Sequence, residues 1–239
     1  MILRLALASL FARALTVGMT ILAIALSVAL FLGVEKIRTS AKASFTNTIS
    51  GTDLIVGARS GSVQLLLYSV FRIGNATNNL TWQSYQDIAA RADVAWAVPI
   101  SLGDSHRQFR VMGTTVAFFE HYKYRKSRAL ALTDGVIISD LFDTVVGSDV
   151  AKTLKYSVGD PIIIAHGLAS FTEHKDQPFR VSGILEKTGT PVDRTVIVNM
   201  EAIEAIHVDW KSGAKTPGQS TPVDVIRRMD LTPKAVTAA

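Results

Sequence analysis

Residues 14 to 34 read ALTVGMTILAIALSVALFLGV, an uncharged apolar run closed by Arg13 on one side and Glu35 on the other. No other feature of the chain limits its fold so strongly. As a helix rising about 1.5 Å per residue, the run measures roughly 31 Å, close to the bilayer's hydrocarbon thickness of about 30 Å. A secretory signal has a shorter apolar region, about 7–15 residues, with a small-residue cleavage site close behind it. The one A-x-A pattern nearby, Ala41-Lys42-Ala43, lies well past the run, beyond Glu35, Lys36 and Arg38. Length and charged exit favour a retained spanning helix over a cleaved peptide. A buried helix of a soluble protein would normally keep a polar face, and this run has none.

Arg4, Arg13 and the amino terminus precede the run, and Lys36, Arg38 and Lys42 follow it. The positive charges nearly balance, and long domains translocate largely regardless of them. The expected arrangement places residues 1–13 in the cytoplasm and the large domain outside. Ala25, Ala29 and Gly33 recur every four residues on one helix face, where a neighbouring helix can approach closely. Alanine is also common in any membrane span, so the row alone does not assign packing. The helix is expected to run on to about residue 50, because EKIRTSAKASFTNTI contains neither proline nor glycine.

The remaining residues, 35 to 239, suffice for one sizeable domain or two small ones. A hydrophobic content of 48% with 19% charged residues belongs to a folded chain. There is no cysteine, which excludes disulfides, cysteine-bound zinc and thiol catalysis. The net charge of +5 is modest, with one basic cluster at Lys123, Arg125, Lys126 and Arg128. Beside His121, Tyr122 and Tyr124 this mixture is of the kind found on nucleic-acid or anionic-lipid surfaces. A solvated basic loop accounts for it equally, and no nucleic-acid partner is assigned.

No G-x-x-x-x-G-K-[ST], G-x-S-x-G or H-E-x-x-H occurs, so neither an ATP site nor a hydrolase motif is present, and no catalytic or cofactor-binding residue is assigned. Scattered Ser, His and Asp do not make a triad, which is defined by geometry. His166 and His174 flank one loop, with Glu173 and Asp176 nearby. These are zinc-type ligands, but their spacing matches no tight motif, and a polar loop is the alternative.

Along the exterior chain, residues 51–58 read as a short strand and 62–71 as a helix, contributing to the core in preference to a lipid or substrate surface. Thr81 is placed to cap a helix over 82–93, with Tyr85, Ile88 and Ala89 on one face. Residues 94–105 and 106–115 read as strands around a Gly103-Asp104 turn. A short helix over 116–122, a polar loop over 123–135 and a strand over 135–139 follow. Residues 148–156 read as a helix capped by Ser148, 161–165 as a buried strand, and 167–178 as a loop or hairpin. Strands over 179–187 and 194–199 precede a helix over 200–208, and residues 223–231 read as a further strand. Gly159-Asp160 and Gly189-Thr190-Pro191 sit between apolar runs. Glycine tolerates positive φ and proline presets φ near −65°, so both suit tight reversals and carry no catalytic signal. This mixture predicts an α+β fold: an N-terminal transmembrane helix followed by a mixed α/β extracytoplasmic domain.

GSDVAKTLKYSVGDPIII resembles a segment of the exterior domain of MacB/FtsX-type ABC transporter permeases, where a short helix, a Gly-Asp turn and a strand follow one another. FRVSGILEKTGTPVDRTVIVNMEAIEAI resembles the next segment, a strand, a Gly-Thr-Pro-x-Asp turn ending here at Asp193, another strand and a helix. GTDLIVGARSG after the first helix fits as well. The resemblance implies a MacB-like periplasmic core domain over 51–230 and a bacterial inner (plasma) membrane location. It also implies a separate ABC ATPase subunit, a second permease copy as dimer partner, lipid around the span and a possible periplasmic partner. Such permeases carry three further spans after the exterior domain. By that pattern, the chain is expected to be an N-terminal part, with 231–239 as a truncated tail. A self-sufficient single-span periplasmic binding or adaptor protein is the alternative.

Overall fold

In the computed structural model the apolar run and the residues behind it form one uninterrupted helix, α1 (Ala14–Thr48). The structure describes residues 4, 11–48, 50–167, 177, 179–211, 214–216, 218 and 220–239. The chain divides into two compact units, 1–46 and 47–239. Among the described residues, α1 is the one helix long and apolar enough to cross a membrane. Of the three hydroxyls inside the run, Thr16, Thr20 and Ser27, two bond to their own helix. Thr20 Oγ1 donates to the Thr16 carbonyl at 2.9 Å and Ser27 Oγ to that of Ala23 at 2.8 Å. Bonds of this kind, back to the carbonyl four residues earlier, satisfy a hydroxyl within its own helix.

The second unit opens with α2 (Ser62–Ser69), then β1 (Leu80–Thr81) and α3 (Trp82–Ala89). Thr81 caps α3: its hydroxyl accepts from the Ser84 amide at 3.1 Å. A hairpin of β2 (Ser101–His106) and β3 (Phe109–Thr114) leads to α4 (Ala117–His121). A basic hairpin, β4 (Lys123–Tyr124) and β5 (Arg128–Ala129), then gives way to β6 (Leu132–Gly135) and β7 (Asp143–Val146). Next come α5 (Ser148–Leu154), β8 (Pro161–Ile162), β9 (Ala165–His166) and β10 (Phe179–Leu185). A 3-10 turn over Pro191–Arg194 precedes β11 (Thr195–Asn199) and α6 (Met200–Ile206). The chain closes with β12 (Trp210–Lys211), β13 (Ala214–Lys215), α7 (Val223–Ile226) and β14 (Ala235–Val236).

Eight strands form one mixed sheet in the order β6-β10-β7-β11-β3-β2-β9, with β8 also paired to β10. β10 runs parallel to β7 and β11 parallel to β3, while β7 and β11 are antiparallel. Alternate residues of one strand therefore serve two cores. Val196 and Val198 join Val150, Ala202, Ile206 and Ile226 on one face, beneath α5, α6 and α7. Ile197 joins Met112, Val145, Phe118 and Leu185 on the other, with α4.

Several elements differ from the sequence expectation. Gly103-Asp104 is no turn: it lies inside β2 where the register against β3 shifts, and the reversal falls at Arg107-Gln108, with Arg107 at φ 53°. Glycine marks bulges as well as turns, so the local signal is ambiguous. Residues 51–58 form no regular strand. They meet the last residues of the sequence, with the Val56 amide donating to the Ala239 carbonyl at 2.8 Å and the Ala239 amide to that of Val56 at 2.9 Å. Residues 123–135 hold two β pairings in place of a loop, and the strand expected at 135–139 sits at Leu132–Gly135, paired with β10. Gly135 ends it at φ 79°. The expected strand over 161–165 divides into β8 and β9, which pair with different neighbours. Helix α5 begins after Gly147, and Ser148 makes no side-chain cap bond. Residues 223–231 hold α7, not a strand: Val223 and Ile226 stand three apart behind Pro222, which leaves Ile226 in the core. The loop or hairpin expected over 167–178 lies almost wholly outside the described residues.

Candidate functional site

The second unit presents two chemically distinct sites. The first is a cavity of about 160 Å3 lined by Leu54, Ile55, Val56, Val70, Trp96, Val98, Phe118 and Tyr122, with Thr48 and Ala239 at its border. Its one guanidinium belongs to Arg72, in the connection after α2, held at φ 61°. Arg72 Nη2 donates to the sulfur of Met112 at 2.8 Å, while Nε and Nη1 are buried with no hydrogen-bond partner among the described residues. Burial lowers the Arg72 pKa to about 10, partly offset by the charge of Tyr122. Tyr122 in turn is raised above its ordinary value, chiefly by burial, and its hydroxyl donates to Thr190 Oγ1 at 3.3 Å.

The second site lies at the far edge of the sheet. In the antiparallel β2–β9 pair, Asp104 stands directly opposite His166. His207, the residue after α6, closes the group. His166 Nδ1 lies 3.2 Å from Asp104 Oδ1 and 3.1 Å from His207 Nε2, and His207 Nε2 lies 3.8 Å from the same carboxylate oxygen. Asp104 is buried, and its Oδ1 makes no well-aligned hydrogen bond among the described residues. The 3.2 Å contact with Asp104 and its charge raise the His166 pKa, against burial that lowers it. His207 Nδ1 meets the Ile203 carbonyl at 2.7 Å. A carbonyl only accepts, so Nδ1 carries the proton and Nε2 presents a lone pair to the cluster. Trp210 packs beside both imidazoles, with ring centroids 5.3 Å from His166 and 5.9 Å from His207.

Of the metal candidates read from sequence, His166 is in this cluster. His174, with Glu173 and Asp176, falls outside the described residues. Asp104, His207 and Arg72 were not singled out, because nothing in their local sequence marks them. Their partners come from distant elements, so only the sheet pairing and the α6 terminus bring them together.

The turn residues have defined roles. Gly159 sits at φ 99°, and Asp160 accepts from the Ser157 amide at 2.8 Å. Gly189 sits at φ 75°, Thr190 donates its amide to Thr188 Oγ1 at 3.0 Å, and Pro191 opens the 3-10 turn. Asp193 is buried and organises the reversal. Oδ1 accepts from the Thr188 amide and hydroxyl, both at 2.8 Å, and Oδ2 from the Gly189 amide at 2.7 Å. Ala25 and Ala29 line an exposed groove on α1 with Ile21, Val28 and Leu32, and an added side-chain carbon at Gly33 would meet open space. The basic cluster forms the β4–β5 hairpin, docked on the residues that end and follow α1. The Arg125 amide donates to the Asn47 carbonyl at 3.1 Å, Ser50 bridges Lys123, and the Ser127 amide donates to Ser50 Oγ at 3.1 Å.

The family description "MacB-like periplasmic core domain" matches residues 17–222. No curated protein matches the chain. Among solved structures, the periplasmic region of MacB from Actinobacillus actinomycetemcomitans is similar at 12% identity, over 80% of this chain and 89% of that one, with a TM-score of 0.41. The extracellular domain of the noncanonic ABC-type transporter YknZ from Gram-positive bacteria is similar at 15% identity, over 63% of this chain and 78% of that one, with a TM-score of 0.38.

Proposed function

Because the chain belongs to the MacB-like periplasmic core domain family, we propose that it works as a permease component of an ATP-binding-cassette transporter. In this reading α1 spans the bacterial inner membrane, the amino terminus is cytoplasmic and the 47–239 unit is periplasmic. A separate subunit hydrolyses ATP, since this chain has no phosphate-binding loop. A second permease copy completes the assembly, and the Ala25, Ala29 and Gly33 face is available for helix packing.

The observation that carries this reading is the match of residues 17–222 to the MacB-like periplasmic core domain family. Helix α1 runs without a break past the apolar segment to Thr48. Within the 47–239 unit, Asn47 and Ser50 are both held by the β4–β5 hairpin. In this reading the unbroken helix passes tilt or rotation along its length, which a flexible linker would dissipate.

Two measurements test the proposal. Purification of the chain from solubilised membranes is expected to recover an ABC ATPase subunit with it. Recovery without an ATPase would refute the permease reading and leave an anchored binding or adaptor protein. In the complete complex, Ala43→Pro removes a helical hydrogen bond and clashes with the preceding turn. It is expected to abolish ATP-driven activity while membrane insertion persists. Unchanged activity would refute coupling through α1.

A further inference from the structure

We propose that Asp104, His166 and His207 form a binding site for one zinc ion in the folded unit. The three candidate ligand atoms are His166 Nδ1, His207 Nε2 and Asp104 Oδ1, separated by 3.1, 3.2 and 3.8 Å. A point equidistant from all three lies about 2.0 Å from each. Zinc binds imidazole nitrogen at about 2.0–2.1 Å and carboxylate oxygen at about 2.0–2.2 Å, which sets the edge of a zinc tetrahedron at about 3.3 Å. The cluster therefore has the dimensions of a tetrahedral zinc face without any side-chain movement.

The chemistry around the three atoms agrees. With the His207 Nδ1 proton engaged by the Ile203 carbonyl, Nε2 is fixed as a lone pair pointing inward. A backbone carbonyl holding the distal nitrogen is the usual support for a metal-bound histidine. With both imidazoles neutral and Asp104 ionised, the three converging atoms carry at most one proton among them, which a bound cation would displace. The Asp104 carboxylate supplies negative charge from a buried position. Two imidazoles with one carboxylate suit zinc and not magnesium or calcium, which take oxygen ligands. Trp210 walls the imidazoles on one side, and His166 keeps part of its ring in solvent, which gives the ion an entry path and a fourth position for water.

The mechanical consequence follows from where the ligands sit. Asp104 is on β2, His166 on the two-residue strand β9 at the end of the sheet, and His207 just past α6. One ion would staple a very short edge strand to its neighbour and to the helix that packs over the sheet. The site is distinct from the apolar cavity and from the residues assigned to the α1 junction.

The test uses the full chain purified in detergent, without a polyhistidine tag and stripped with a chelator. Zinc chloride is titrated while heat, bound metal and thermal unfolding are measured. The expected result is one zinc per chain, a dissociation constant below about 10 μM and a melting temperature raised by about 3–10 °C. Magnesium at the same concentration is expected to give no shift. His207→Gln, and separately His166→Gln, should weaken zinc binding at least about 10-fold. His121→Gln, a histidine stacked on Trp96 away from the cluster, should leave it unchanged. The histidine variants are partly exposed positions, so the test does not depend on the buried Asp104→Asn variant folding. Absence of a zinc-dependent shift in the parent chain, or a shift that persists in the His166→Gln/His207→Gln double variant, would overturn the proposal.

Discussion

Replacing Arg72 by methionine should make the protein more stable, although Arg72 is buried and makes a contact. Its guanidinium sits at the wall of an apolar cavity with two of its nitrogens unpartnered among the described residues. Burial lowers its pKa from the ordinary guanidinium range to about 10. At 1.36 kcal/mol per pKa unit, that difference corresponds to about 3 kcal/mol against the charged form. The contact to Met112 sulfur is a weak acceptor bond and returns about 1 kcal/mol. Methionine fills the channel as far as the Nε position and carries no charge, so a net gain of about 1–3 kcal/mol is expected, in line with other replacements of buried ions by apolar side chains. The positive φ at this position penalises both residues alike. For a unit of this size each kcal/mol moves the melting temperature by about 2–4 °C, so the variant should melt about 2–10 °C higher at pH 7.

The sign of the pH dependence follows from the same shift. Below pH about 10, Arg72 is charged in both the folded and the unfolded chain, and the folded state bears the whole burial cost. Above that value the folded state releases the proton while the unfolded chain keeps it, and the cost fades as pH rises toward the ordinary guanidinium range. The advantage of Arg72→Met should thus be constant through neutral pH and shrink above pH 10. Tryptophan fluorescence reports it directly: the three tryptophans, Trp82, Trp96 and Trp210, all lie in the 47–239 unit, and none is in α1. A melting temperature lowered by more than about 2 °C would refute the reasoning. It would mean that an anion in the cavity compensates the charge.

Asp193→Ala should destabilise the unit by about 3–5 kcal/mol, since it strips the Thr188 and Gly189 amides and the Thr188 hydroxyl of a buried acceptor; chemical denaturation measures the loss, and a change under 1 kcal/mol would contradict the geometry. Gly147→Ala should cost about 2 kcal/mol or more, because a side-chain carbon there runs into the backbone carbonyls of Val192 and Asp193; the same denaturation curves read it, and a neutral effect would show that the 3-10 turn moves freely away from α5.

Features that depend on neighbouring residues were legible in the amino-acid order. The limits of α1 follow from charge and the absence of helix breakers. The Thr81 cap and the Gly159 and Gly189 reversals follow from side chains that bond to, or permit, their own backbone. Strand β7 was missed because its four residues are all buried, so no alternation of polar and apolar side chains marks it. Its existence depends on β10 lying parallel on one side and β11 antiparallel on the other. The Gly103-Asp104 reading failed for a related reason: whether a glycine bends a strand or ends it is decided by the partner strand's register.

The sequence by itself determined a long apolar helix, a mixed α/β unit behind it and the reversals at Gly159 and Gly189, because those rest on interactions within a few residues. Tertiary structure alone decided the chemistry. Asp104 and His166 became neighbours through an antiparallel pairing, and His207 joined them from the end of a helix packed over the same sheet. Arg72 became a buried cation because a cavity closed around it. Hydrogen bonding and helix periodicity act along the chain and leave a local pattern. Sheet pairing and cavity formation join residues far apart, and the free energy that selects them has no local signature.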